Sequence, residues 1–246
     1  MDALGYRKKF AVLVPSTNTT VQAEFDDMRV PGVTNHLTRI AIPNIPLHND
    51  DDFNRLIELI EAAQADAIER VMSCEPDYFV MGISAETFWN GLEASRELKK
   101  QVMQQTGIDV AMGSEACDAA LGIHSARRLA VITPYQPVGD RNVRRFFEES
   151  GYEVVRVRGL RCESPVKIAH VQPQTLIREL KAIDGDDIDA IVQVGTNLSM
   201  ARLAGQAECW LEKPVIAINT AIYWHALRQN GINDRFPGFG SLLARH

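Results

Sequence analysis

Cysteines are few and unpaired in pattern: Cys74, Cys117, Cys162 and Cys209 are scattered over 246 residues with no C-x-x-C. That spacing argues against a disulfide framework or a zinc ribbon, and the four read as reduced thiols in cores or at surfaces. Long apolar runs are missing too. None approaches the length that crosses a bilayer, and the run after the polar residues 1–9 is too brief for the core of a secretion signal. The expectation is a cytoplasmic protein with no membrane partner. Cations are outnumbered, 26 Lys and Arg against 32 Asp and Glu, for a net charge of -6. Neutralising phosphates needs a basic face, so a nucleic-acid partner is not expected. Neither G-x-G-x-x-G nor G-x-x-x-x-G-K-S/T occurs, which argues against a dinucleotide or a nucleoside triphosphate, and no H-E-x-x-H or other compact ligand spacing points to a metal. His48 near Asp50, Asp51 and Asp52 looks metal-like at first glance, but helix capping accounts for the acids.

What the chain does have is repetition. Residues 10–17 (Phe-Ala-Val-Leu-Val-Pro-Ser-Thr) echo 129–136 (Leu-Ala-Val-Ile-Thr-Pro-Tyr-Gln), 77–82 echo 189–195, and 110–114 echo 216–220, at offsets of 119, 112 and 106 residues. Each echoed segment is a short apolar run ending in polar or turn-forming residues, the pattern of a buried parallel strand that opens into a loop. Strands are expected at 9–14, 36–42, 78–81 and 108–112, then at 129–133, 153–158, 190–194 and 215–218. Helices are expected between them. One starts at Asp50 and carries Phe53, Leu56, Ile57, Ile60, Ala67, Ile68 and Val71 at spacings of three and four; others span 85–106, 115–123, 139–150, 173–183, 198–211 and 221–230. This alternation predicts an α/β fold of two pseudo-symmetric lobes, each a small parallel sheet flanked by helices. Lobe one spans 1–124 and lobe two 125–228, with the tail 229–246 packing back on lobe one.

Ligands of such sheets bind beyond the carboxyl ends of the strands. The polar clusters there are residues 15–20, which include Ser16, Thr17 and Asn18; 82–87, which include Gly82, Ser84 and Glu86; 133–135, ending in Tyr135; and 195–199, with Gly195, Thr196 and Asn197. Hydroxyls, amides and free backbone N–H groups there suit a small anion such as a carboxylate. Turn and cap chemistry uses the same residue types.

The segments 14–20, 81–84, 133–135 and 195–198 together resemble the maleate isomerase and arylmalonate decarboxylase branch of the aspartate/glutamate racemase superfamily. The resemblance covers essentially the whole chain. It implies an active site between two α/β lobes, acting on small carboxylates without cofactor or metal. It also implies a pair of cysteines facing across the substrate, one of them replaced by glycine in the decarboxylases. In this chain those two positions fall on Gly82 and Gly195, so neither thiol is present. Cys117, near a helix start, could be activated or simply packed. The resemblance implies substrate binding through Asn18, Ser84, Tyr135, Thr196 and Asn197, within a set that includes Ser16, Thr17, Gly82 and Gly195. With the thiols gone, Tyr135, Ser84 and Glu86 are the catalytic candidates. Glu86 would be the base if it reaches the cleft, whereas a first-turn helix position would lower its pKa. Phe88 and Trp89 could form an apolar wall. Residues 81–89 further resemble the ectoine-utilisation branch. The functional expectation is a cofactor-independent enzyme that isomerises, decarboxylates or hydrolyses a small carboxylate or a cyclic nitrogen-containing metabolite. The alternative is a non-catalytic carboxylate-binding protein. Surface helices leave room for a homo-oligomer.

Overall fold

A computed structural model describes residues 2–246. The first half runs β1 (Lys8–Pro15), α1 (Val21–Asp27), β2 (Val33–Ile40), α2 (Asp50–Met72), β3 (Tyr78–Met81), a 3-10 turn (Glu86–Phe88), α3 (Gly91–Thr106), β4 (Val110–Ala111) and α4 (Gly113–Ile123). The second half runs β5 (Arg128–Thr133), α5 (Pro137–Glu149), β6 (Glu153–Gly159), α6 (Pro165–Ile168), α7 (Pro173–Ile183), β7 (Ala190–Gln193), α8 (Ala201–Leu211), β8 (Val215–Ala217), α9 (Ile218–Gln229) and α10 (Ser241–Arg245). The two four-stranded sheets have the orders β2-β1-β3-β4 and β6-β5-β7-β8, and every pairing is parallel. The orders are the same when each half is counted from its own first strand. This is the α/β architecture that the three sequence echoes predict.

Strand alternation sorts the core. Leu129 and Val131 of β5 point into a large cluster shared with the first sheet and α9, while Ala130 and Ile132 face a smaller cluster with Leu176, Leu180 and Ile191. Helix α9 is buried from Ile218 through Leu227. A helix apolar on all sides must be covered on all sides. It achieves this by crossing over, packing on β3, β4 and α4 as well as on β8. The tail follows it: Arg7, beside the start of β1, holds Asp234 at 2.6 Å, and α10 packs on α9.

Several elements depart from their expected bounds. The helix expected over 85–106 is interrupted, because Asn90 (φ 59°) and Gly91 (φ +85°) take left-handed backbone and restart it at Gly91. The second strand lies earlier, at Val33–Ile40, set by its ladder with β1. Short helices α1, α6 and α10 are not expected from the sequence; with at most two turns each, they are too short for an apolar spacing to recur. Helix α2 starts where expected, with Asn49 Oδ1 accepting the Asp52 N–H at 2.9 Å.

Candidate functional site

The central strands β1, β3, β5 and β7 deliver their carboxyl ends to one cleft between the sheets. Thr17, Asn18, Ser84, Tyr135, Gly195, Thr196 and Asn197 all line a single cavity there, of about 60 Å³. That is room for roughly four to six waters at about 10–15 Å³ apiece, so only a small molecule fits. The other walls are apolar: Ile42, Phe53, Leu56, Ile60, Ile83 and Ile168, with no charged side chain in the lining.

Each polar group is fixed by the opposite half. Asn18 Oδ1 accepts the N–H groups of Thr20 (3.0 Å) and Val21 (2.9 Å), capping α1, and its Nδ2 donates to Thr196 Oγ1 at 3.3 Å. Thr196 Oγ1 donates to the Gly82 carbonyl at 3.1 Å, and Thr196 N–H donates to Ser84 Oγ at 3.2 Å. Ser84 Oγ meets Tyr135 OH at 2.6 Å. Asn197 accepts the Thr19 N–H at 3.0 Å and donates to the Pro165 carbonyl at 2.9 Å. The Asn18 amide oxygen and both ends of the Asn197 amide are therefore engaged in structure. The backbone N–H groups of Thr17, Ser84, Ala85 and Asn197, all in the lining, find no acceptor among the described residues. Unpaired donors of this kind are suited to an incoming oxyanion.

Tyr135 is held from behind. Its N–H donates to Thr133 Oγ1 at 3.1 Å, and Thr133 Oγ1 donates to Asp140. Arg161 bonds both Asp140 and the Tyr135 carbonyl. Burial pushes the Tyr135 phenol well above its ordinary pKa, so it stays protonated. An unanticipated support is Glu24, which accepts from Ser199 Oγ (3.0 Å), Ala201 N–H (3.1 Å) and Asn219 Nδ2 (2.6 Å). Asn219 Nδ2 also donates to the Thr196 carbonyl at 2.9 Å, tying α1 of one half to the 195–197 loop of the other.

The remaining sequence candidates lie elsewhere. Ser16 stands behind the lining, its Oγ donating to the Ile42 carbonyl at 3.0 Å. Gly82 contributes its carbonyl to Thr196 and is not in the lining. A Cβ at Gly82 would sit 2.6 Å from Val14 Cγ1, and one at Gly195 (φ +109°) would sit 2.5 Å from Pro134 Cδ. Both thiol positions therefore lack room for a side chain as well as the sulfur. Cys117 is in the core, where burial pushes its thiol pKa up, the reverse of activation. Glu86 does not line the cleft, because the 3-10 turn carries its side chain toward a separate groove. Nor is its pKa lowered by a helix start: burial pushes it up to about 8. Phe88 is core, and Trp89 faces the same groove as Glu86. The apolar wall comes instead from Phe53, Leu56 and Ile60, whose spacing in the sequence marks a helix but not a ligand-facing wall.

The arylmalonate decarboxylase family profile matches residues 12–243. The chain is 23% identical over 243 residues to maleate isomerase of Pseudomonas putida, covering 94% of this chain and 95% of that protein. Among solved structures, a cysteine-to-serine variant of Nocardia farcinica maleate cis-trans isomerase with a covalently bound succinylcysteine intermediate superposes with a TM-score of 0.87 at 21% identity, covering 97% of this chain and 99% of that one. Arylmalonate decarboxylase superposes with a TM-score of 0.73 at 20% identity, covering 97% and 100%. At these identities the structural likeness speaks for the fold.

Proposed function

The chain belongs to the arylmalonate decarboxylase family, and on that premise we propose that it is a cofactor-independent enzyme that decarboxylates a small carboxylate. The observation that carries this reading is the cavity's lining, which combines a polar part of hydroxyls, an amide and N–H groups with the apolar side chains Phe53, Leu56 and Ile60 and contains no cation. A carboxylate at the polar part is solvated by neutral donors. A second carboxylate pressed against Phe53, Leu56 and Ile60 loses water and gains no partner, which raises its energy as an anion. Breaking its bond to carbon releases carbon dioxide and leaves the electron pair as an enediolate, held by the donors of the polar part. The Tyr135 hydroxyl, paired with Ser84, supplies the proton to carbon and is reprotonated from solvent.

The competing reactions of the family fit less well. Thiol addition, which the succinylcysteine of the Nocardia farcinica enzyme exemplifies, has no sulfur to use in this lining. Hydrolysis needs a base to activate water, and the lining contains no carboxylate or imidazole. The same lack favours a second reading, a carboxylate-binding protein without turnover.

The test is release of carbon dioxide from a series of small 2-substituted malonates. Turnover that falls by roughly 100-fold or more in Tyr135→Phe is the expected result, since a positioned acid contributes about 10²–10⁴-fold. A malonate or its monoacid that raises the melting temperature and is never consumed would favour the binding reading.

A further inference from the structure

Glu86 differs from every other deeply buried carboxyl in the molecule. Glu24 accepts three hydrogen bonds, Asp140 is held by Thr133 and Arg161, and Glu179 by Arg158 and Arg178. Glu86 is only 5% exposed, and neither carboxyl oxygen has a hydrogen-bond partner among the described residues. Ionised, it is an uncompensated charge; protonated, it is a donor without an acceptor. Either state is costly, so the orphan carboxyl calls for a group that satisfies it.

A groove adjoins this carboxyl, and because both carboxyl oxygens lie beneath the groove's surface, pairing with a ligand there requires the Glu86 side chain to turn outward. Glu86 lines a groove of about 490 Å³ between α2 and α3, within the range of small-molecule sites, and the groove shares no lining residue with the carboxylate cleft. Glu61 and Gln64 of α2, Ala94, Glu97, Leu98 and Gln101 of α3, and Trp89 and Asn90 of the intervening turn complete it. The lining thus carries three carboxyls, three amides, an indole and no cationic side chain. Lys100 pairs with Glu97 at 3.4 Å on the exposed side of α3. On the α5 side, Arg145 and Glu149 neutralise each other.

We propose that this groove binds a small organic cation bearing N–H donors, an alkylammonium or guanidinium group, with the Glu86 carboxylate as its counter-ion and Trp89 as its aromatic neighbour. An N–H cation supplies the donors that Glu86 lacks, and indole attracts such a charge through its ring quadrupole. A metal ion fits less well, because no three His, Cys, Asp or Glu side chains among the described residues gather to hold one. Binding must displace the proton that burial keeps on Glu86 up to about pH 8, with Glu61 of α2 reinforcing that hold. Affinity therefore rises with pH. Glu97 and Lys100 of α3, and Tyr135 before α5, are the other titratable groups nearby.

The test is calorimetric titration of the whole protein with butylammonium and with methylguanidinium at fixed ionic strength, with tetramethylammonium as the control lacking N–H. The expected result is saturable binding of at least one N–H cation, roughly tenfold tighter at pH 9 than at pH 7, because a group with a pKa near 8 passes from mostly protonated to mostly ionised over that span. Glu86→Gln, checked for folding by its melting transition, should lose at least tenfold in affinity together with the pH dependence. If that variant fails to fold, Glu61→Gln should weaken binding in its place. No saturable binding of either cation, equal binding of tetramethylammonium, or unchanged affinity in the folded variants would overturn the proposal. Decarboxylation plays no part in this readout, so the two readings fail separately.

Discussion

Two neighbouring side chains show how burial decides chemistry at the residue scale. Ser84 and Glu86 are two positions apart, yet Ser84 Oγ reaches Tyr135 across the cleft while the Glu86 carboxyl finds nothing. A carboxyl whose folded pKa lies above its unfolded value of 4.5 binds its proton more tightly in the native state. The stability it contributes is full below pH 4.5 and is lost as pH rises through about 8. At about 1.4 kcal/mol per pKa unit, the protein should lose a few kcal/mol across that window, and Glu86→Gln should flatten the decline. Urea midpoints from pH 5 to 9 measure this; parallel curves for the two proteins would contradict it. Gly195 makes the complementary case. Restoring sulfur by Gly195→Cys places a Cβ at φ +109° against Pro134 and should destabilise the fold by about 1–3 kcal/mol without creating an isomerase, as thermal melting and a maleate-to-fumarate assay would show. The polar clusters that hold Asn18, Ser84, Tyr135, Thr196 and Asn197 are legible because each follows a readable strand, and the family resemblance singles out those residues within them. Glu24 was not, since nothing local announces that its partners Ser199 and Asn219 lie far along the chain.

Among the elements, α2 serves the core and the cleft at once. Its apolar stripe was plain from the three-and-four spacing, but which part of it would face a ligand depended on the second half closing over it. Phe53 touches Tyr135 ring to ring at 5.1 Å and lines the cavity with Leu56 and Ile60. Leu56→Ala should cost about 2–5 kcal/mol of stability if the site cannot collapse. It should also slow decarboxylation by admitting water beside the carboxylate that must be lost. Denaturant midpoints together with turnover check both, and a variant of full activity would remove the apolar wall from the mechanism. The break before α3 illustrates the opposite situation. Asn90-Gly91 is a turn signal, but apolar residues on both sides of it read as one continuous helix, and that reading turned Glu86 toward the wrong cavity.

At the scale of the molecule, duplication explains why the site exists. Two sheets of the same order bring four loops to one place, and hydrogen bonds from Asn18 to Thr196 and from Thr19 and Thr20 to Asn197 lock the halves across it. The sequence echoes announced this plan, whereas the crossing of α9 onto β3 and β4 stayed hidden, because a helix buried all round has no polar face to orient it. The central claim is that neutral donors from both halves hold a small carboxylate in that shared cavity. The most direct measurement is difference electron density from crystals soaked in methylmalonate. The account predicts a carboxylate with oxygens about 3 Å from Tyr135 OH or Ser84 Oγ and from the free N–H groups of Thr17 or Asn197. Saturating soaks that leave only water in the cavity, or that place the anion outside it, would contradict the claim.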